Sequence, residues 1–397
     1  MEGVRVAYTL EQCWHRVPGG TAVSAIEVAR AMPVVRADVE LLGVSGRHGE
    51  DSEVTFDISI DVAGLPISGP LLYETSLRLR QPRVERALNN IDLLHNTSII
   101  PFATSSKMVS TVHDLAFLHH PDFFTRHGNA VFARSLKMLK KRANMLLCSS
   151  TATVNDCLEA GFSSDRVRLV PLGVRSERAS AEQVAQVRAA FNLPSEFILF
   201  VGTLEPRKNL SKLVEALREQ PDLPPLVIAG ADGWGDISVV ASNNVKFLGH
   251  VEERYLGGLY AAASVMAYPS LWEGFGLPVL EAMAQGTPVV TSELISTEEV
   301  AGGAAVLVDP RNAESIRAGI RNALQLLDES LNARLAFDPQ GARRRFRLCA
   351  GDQSRQRIGS GRAGQQQAEG KNGAHIWLHR QARQAWPAGI GCASLGK

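Results

Sequence analysis

No run of apolar residues in this chain approaches the length needed to cross a bilayer as a helix, and the opening MEGVRVAYTL is a polar lead into a strand rather than a signal peptide. The five cysteines, Cys13, Cys148, Cys157, Cys349 and Cys392, have neither paired nor metal-type spacing. They predict reduced thiols in a cytoplasmic protein, and they exclude a disulfide scaffold and a zinc module. No GxGxxG follows the first predicted strand, which argues against a nicotinamide or flavin site. What remains is a 397-residue chain with 45% apolar residues and a mean hydropathy near zero. It is long enough for two or three globular domains with cores of their own.

Net charge is only +1, but it is unevenly spread. From Gly341 onward there are eleven Lys and Arg against Asp352 and Glu369, a local +9, so residues 1–340 carry −8. The Arg-, Gln- and Gly-rich ending has no sustained period and reads as disordered. We read it as the product of a frameshift in the coding DNA rather than as a nucleic-acid-binding tail. The domain organisation is then 1–175, a polar linker at 176–195, a second domain at 196–335 and the atypical tail at 336–397.

Short apolar runs alternate with helical patterns in both halves, the pattern of parallel sheets flanked by helices. In the first half the predicted strands are Arg5 to Leu10, Asp38 to Val44, Leu93 to His95, Met108 to His113, Met145 to Cys148 and Val167 to Val170. In the second they are Phe197 to Leu204, Leu226 to Ala229, Val245 to Leu248, Val265 to Ala267 and a strand starting at Thr287. Ligands of such sheets bind beyond the carboxyl ends of the strands. The residues with chemical potential fall there.

Residues 264–292, SVMAYPSLWEGFGLPVLEAMAQGTPVVTS, carry the strongest pattern. Glu273 and Glu281 flank a small-residue turn, Gly274, Phe275 and Gly276, followed by Leu277 and by Pro278 as first residue of a helix whose first turn holds Glu281. Gly286 closes that helix. Backbone amides exposed by a glycine turn, with the partial positive charge of a helix start, suit a diphosphate. A second junction, GTLEPRKNL, places Arg207 and Lys208 between a dense apolar strand and a helix with Leu210, Leu213, Val214 and Leu217 in register. Glu205 is placed to orient them.

These stretches resemble the retaining glycosyltransferases of family 4, whose fold is GT-B: α/β, with two Rossmann-like domains facing across a cleft. EGFGLPVLE with its two glutamates, the PS before it and the GTPVV after it carry the resemblance. HDL and GTLEPRKN are most similar to bacterial mannosyltransferases. The resemblance implies that Glu273 contacts donor-sugar hydroxyls, that Gly274, Phe275, Gly276 and Leu277 lie against sugar and phosphates, and that Glu281 accepts from the ribose. Lys208 and Arg207 would hold the phosphates. In the first domain it implies that Gly19 and Gly20, which lead into a helix, line the cleft, and that His113 borders the anomeric centre. His95, predicted at the end of the preceding strand, faces the cleft by the same logic. Glu298 stands where the family has a proline, so no role is carried over to Ser292 or Glu299.

The expected activity is transfer of a hexosyl group, mannosyl by preference, from a nucleoside diphosphate sugar to a glycan or lipid-linked glycan, with retention. No cofactor or metal is expected: His119, His120 and Asp122 invite a metal reading, but a polar loop explains them as well. Lys137, Lys140, Lys141 and Arg142 end one helix, either as a solvated face or as a peripheral contact with anionic membrane. No nucleic-acid partner is expected. The rival readings are a non-catalytic nucleotide-sugar-binding protein, or a phosphorylase or epimerase on the same fold.

Overall fold

A computed structural model describes residues 3–15, 19–49, 57–174, 177–231 and 244–333. The atypical ending from Gly341 lies outside the described residues, as does the 16–18 stretch before Gly19. The chain divides into two compact units, with the boundary between Gly173 and Val174.

The first unit holds β1 (Val4–Thr9), β2 (Val39–Ser45), β3 (Val62–Gly64), β4 (Leu93–Asn96), β5 (Lys107–Val112), β6 (Met145–Cys148) and β7 (Val167–Leu169). They form one parallel sheet in the order β3-β2-β1-β4-β5-β6-β7. The predicted strands are all present, with ends shifted by a residue or two. β3 is an addition: two half-buried residues and an exposed glycine, with no apolar run to announce them.

The second unit holds β8 (Ile198–Val201), β9 (Leu226–Ala229), β10 (Val245–Gly249), β11 (Val265–Tyr268), β12 (Val289–Ser292) and β13 (Val306–Val308). Its order is β10-β9-β8-β11-β12-β13, again all parallel. Both sheets reverse direction of winding at their first strand, between β1 and β4 and between β8 and β11. Those reversals open the crevices in which doubly wound sheets take ligands.

Burial on both faces explains why these strands are continuous apolar runs rather than alternating ones. Ile198, Leu199 and Phe200 are fully buried, and so are Val265, Met266, Ala267 and Tyr268. Each large apolar side chain of this kind contributes roughly 1.5–3 kcal/mol on burial, so the pair β8 and β11 is the rigid base of the second unit. The polar stretch 181–190 is a helix, Ala181–Ala190, started by a capping box between Ser180 and Gln183. Its one buried side chain, Val187, lies where any side chain at Gly258 would collide, with a Cβ there only 2.8 Å from Val187 Cγ2. The linker segment thus carries a helix packed on the helix Glu253–Ala262 of the second unit.

Candidate functional site

The loops that leave β8 and β11 meet at the switch point of the second sheet. After β8 the chain turns through the 3-10 helix Pro206–Lys208, passes Asn209 in the left-handed region at φ 60°, and enters the helix Leu210–Leu217. After β11 it passes Pro269 and Ser270 and reaches Glu273. The Leu271 amide donates to the Arg207 carbonyl at 2.7 Å, so the two loops are joined backbone to backbone.

Side chains complete the junction. Lys208 Nζ donates to Glu273 Oε1 at 2.7 Å and also to the Tyr268 hydroxyl. Arg207 Nη1 reaches Glu273 Oε2 at 3.2 Å, and its Nε donates to Glu205 Oε2 at 2.7 Å. Glu205, Lys208 and Glu273 are 5%, 7% and 8% exposed. Solvated loop charges would not be buried in this way, because ions leave water only when paired. Burial pushes the Glu273 carboxyl up, but Lys208 and Arg207 beside it more than reverse this and hold it at about 2. Burial and then the neighbouring Arg207 push the Lys208 ammonium below its ordinary range, with Glu273 opposing them. The cluster has two cations and two carboxylates, so it is neutral and preformed.

Asn209 fastens the arrangement. Its Nδ2 donates to the carbonyls of Pro269, at 2.9 Å, and Pro310, at 2.6 Å, tying the loops after β11 and β13 to the one after β8. The sequence shows an asparagine beside two cations, and asparagine tolerates the left-handed region better than most residues, but nothing in its spacing reveals partners 60 and 101 positions away. Tyr268 is a second unanticipated contributor: its hydroxyl accepts from Lys208, whose ammonium lies 4.9 Å from the ring centroid.

Gly274, Phe275 and Gly276 are buried beside this cluster, and Leu277 is half-buried. Gly276 has φ 98°, a conformation L side chains rarely adopt, and it is the N-cap of the helix Leu277–Gln285. The helix therefore starts one residue earlier than the proline suggests. Pro278 is its second residue, and Glu281 falls in the second turn rather than the first. Gly286 ends the helix at φ 83°, in the left-handed cap that its position predicts. The Ser296 hydroxyl donates to the Glu273 carbonyl at 2.6 Å and fixes the start of the turn.

Glu281 sits in a different environment from Glu273. Its Oε2 accepts from the Tyr260 hydroxyl at 2.7 Å, and among the described residues it has no cationic partner. Burial raises its carboxyl above the ordinary range, and the Tyr260 bond only partly offsets this. Two glutamates of one short stretch are thus held in opposite states of readiness, one pinned by cations and one by a phenol.

In the first unit, Gly19 and Gly20 are the first two residues of the helix Gly19–Val35 and are exposed; Gly19 has φ 62° and open space where a side chain would stand. His113 follows β5 directly. Its Nε2 lies 3.2 Å from the carbonyl of Thr97, and burial pushes its imidazolium below the ordinary range. His95 differs from expectation. β4 runs on to Asn96, so His95 is an inner strand residue, 3% exposed, bonded to Thr111 Oγ1 at 2.9 Å and packed edge-on to Tyr8. It is core, not crevice. His119 bonds Asp156 at 2.9 Å, and His120 stacks on Phe123.

Two open parallel sheets wound in this order, each with a switch point beside its first strand, are two Rossmann-like units, the architecture of the GT-B fold. Residues 18–178 match the description Glycosyltransferase Family 4, and residues 184–337 match Glycosyl transferases group 1. O-antigen chain mannosyltransferase B of Escherichia coli is 30% identical over 273 residues, covering 64% of this chain and 72% of that protein. O-antigen chain mannosyltransferase RfbU of Salmonella typhimurium is 30% identical over 225 residues, 55% of this chain but 61% of its own length. Among solved structures, Anabaena HepE in complex with UDP and glucose has the same fold at a TM-score of 0.67 and 18% identity, over 89% of this chain and all of that one. The chain belongs to glycosyltransferase family 4.

Among the described residues no helix is long and apolar enough to cross a membrane.

Proposed function

We propose that this protein transfers a mannosyl group from a nucleoside diphosphate sugar to a glycan or lipid-linked glycan, with retention of anomeric configuration. The observation that carries the reading is the buried Lys208–Glu273–Arg207 cluster at the switch point of the second sheet. Mannose as the sugar rests on the two O-antigen mannosyltransferases to which the chain is similar.

In this reading Lys208 and Arg207 face the diphosphate. As the bond from the anomeric carbon to phosphate oxygen breaks, negative charge grows on the departing diphosphate, and cations already in place stabilise it most in the transition state. Helix starts at Leu210 and Leu277 add their partial positive charge. They and the two side chains take the part for which other transferases recruit a divalent cation. Glu273 holds the cations until the donor arrives and then accepts from sugar hydroxyls, with Gly274, Phe275, Gly276 and Leu277 as the surface beneath. Glu281 accepts from the ribose. Within the first unit, His113, Gly19 and Gly20 are the residues that the family resemblance assigns to donor binding.

Retention follows if the acceptor hydroxyl approaches on the face the diphosphate leaves. The new bond forms from acceptor oxygen to the anomeric carbon, and the acceptor proton passes to the departing phosphate oxygen. No carboxylate of the protein then has to act as base. The setting we infer is the cytoplasm, at the membrane face where lipid-linked acceptors are held.

A donor screen with GDP-, UDP- and dTDP-sugars, with and without EDTA, tests this. Expected are tightest binding of GDP-mannose, acceptor-dependent release of nucleoside diphosphate unaffected by EDTA, and a product whose anomeric coupling matches the donor's. Inverted product, or no discrimination among donors, would sink the assignment.

A further inference from the structure

Three arginines that the site does not use gather at the other edge of the first sheet. β4, β5 and β6 run parallel, so the segments just before β5 and β6 lie away from the carboxyl ends where the crevice opens. Arg80, Arg83 and Arg142 line a cavity of about 180 Å³ there, with Thr104 and Ser105 on its wall.

Each arginine comes from a separately fixed segment. Arg80 caps the helix Gly69–Leu79 in the left-handed region at φ 55°. Arg83 pairs with Ala103 in a parallel bridge, and the next amide, Val84 N–H, donates to the Ala103 carbonyl at 2.9 Å. Arg142 is the last residue of the helix Arg126–Arg142 and reaches the Thr104 carbonyl at 3.1 Å. It is not needed as a helix cap, because Arg166 takes the carbonyls of Lys140 and Ala143.

No carboxylate pairs with Arg80, Arg83 or Arg142 among the described residues; the partner of Arg142 is the Thr104 carbonyl. Glu85 bonds the wall of the cavity through its Oε1. It accepts from the Thr104 hydroxyl at 2.6 Å, the Ser105 amide and hydroxyl at 2.8 and 2.9 Å, and the Ser106 amide and hydroxyl at 3.2 Å. Glu85 therefore orders the wall of the cavity, and its hydrogen-bonded carboxylate, held at about 2, leaves one negative charge there against three cations.

Arg80, Arg83 and Arg142 are exposed residues lining one cavity, and an anion bound there would ease the solvent-screened repulsion among their charges. Their planar donor forks match phosphate oxygens in pairs, where lysine would act as a point charge. Size narrows the class: sites for drug-sized ligands are about 300–1,000 Å³, so this cavity suits a small oxyanion and not a whole nucleotide sugar. We propose that Arg80, Arg83 and Arg142 form a binding site for a phosphomonoester or diphosphate group, at the edge of the first sheet opposite its crevice.

Calorimetric titration of the full chain with inorganic phosphate and with diphosphate, at constant ionic strength set with chloride, tests the site. Saturable binding weakened at least tenfold by Arg83→Gln with Arg142→Gln is expected. Hydrogen exchange of the wild-type protein locates the anion independently of any variant: phosphate should protect residues 80–84 and 103–106. Phosphatidylcholine vesicles with and without phosphatidic acid distinguish the sources. Diphosphate-competed retention on the acidic vesicles identifies a lipid headgroup, and binding of the free anion without retention identifies a soluble one; either supports the site. Unchanged affinity in the double variant, no protection at those residues, or binding lost only in Lys208→Gln would overturn it.

Discussion

Lys208 Nζ stands 2.7 Å from Glu273 Oε1 with both side chains more than nine-tenths buried, although 65 residues separate them in the chain. Removing one member of such a pair strands the other charge in a poor solvent, which costs about 3–5 kcal/mol. Lys208→Ala should therefore lower the urea midpoint of the protein as well as reduce turnover, the latter by about 10²–10³ as for loss of one preset transition-state donor. Lys208→Arg should recover stability in part, since a cation is restored. A Lys208→Ala protein of unchanged midpoint would mean that the pair is not closed in solution.

The same pair sets a pH dependence with a definite sign. Glu273 is held at about 2 in the folded chain against 4.5 when free. Between those values the unfolded chain carries a proton that the folded one lacks, so stability rises with pH across that window. The contribution is complete above the unfolded value and is lost as pH falls through the folded one; a shift of this size is worth roughly 3 kcal/mol. Denaturant melts of wild type and Glu273→Gln from pH 2 to pH 6 should converge at the acid end, separate as pH rises from about 2 to 4.5, and keep a constant gap above that. Parallel curves would show that Glu273 is not held by its cations.

Glu281 runs the other way. Burial raises its carboxyl, and the Tyr260 hydroxyl opposes the rise. Tyr260→Phe removes that opposition, so the carboxyl should protonate at still higher pH and donor KM should rise about tenfold, the worth of a hydrogen bond to a charged group. The increase should be largest at acidic pH, with kcat little affected. A fall in kcat at constant KM would place Glu281 at the reacting centre and not on the ribose.

His113 has a predictable tautomer. A carbonyl only accepts, so Nε2 facing the Thr97 carbonyl must carry the proton, and burial keeps the ring neutral. Nδ1 is then left as an acceptor for a sugar hydroxyl. Long-range ¹H–¹⁵N correlation near pH 7 should show the Nε2–H form, and any acid limb of activity due to His113 should lie below the ordinary histidine range. Observation of the Nδ1–H form would reverse its role to donor.

Dense apolar runs such as Ile198–Val201 and Met145–Cys148 show themselves in the sequence because both faces are buried and no alternation interrupts them. β3 does not, since three edge residues with a glycine bury too little to need a pattern. Glu273, Arg207 and Lys208 are legible because the turns that position them are local. Their mutual pairing is not, nor is the grip of Tyr260 on Glu281, because those contacts are set by which strands lie side by side. The burial of His95 illustrates the limit: one extra residue of β4 moves it from a strand end into the core.

Asn209 concentrates this kind of long-range information in one side chain, and two substitutions separate its parts. Asn209→Gly keeps the left-handed backbone at φ 60° but leaves the carbonyls of Pro269 and Pro310 without their donor. Asn209→Ala loses the same bonds and adds about 1–2 kcal/mol for a Cβ in that region. Each unsatisfied buried carbonyl costs on the order of 1–3 kcal/mol. Both variants should be destabilised, alanine more than glycine, and both should lose turnover because one of the ties between the loop bearing Lys208 and the loop leading to Glu273 is gone, leaving the Leu271–Arg207 backbone bond and the ion pairs to hold them. Asn209→Asp puts a carboxylate against two carbonyls and should be the worst of the three. Equal stability of the glycine variant and wild type by denaturant melt, with kcat intact, would show that Asn209 serves the backbone turn alone and that the loops hold their register without it.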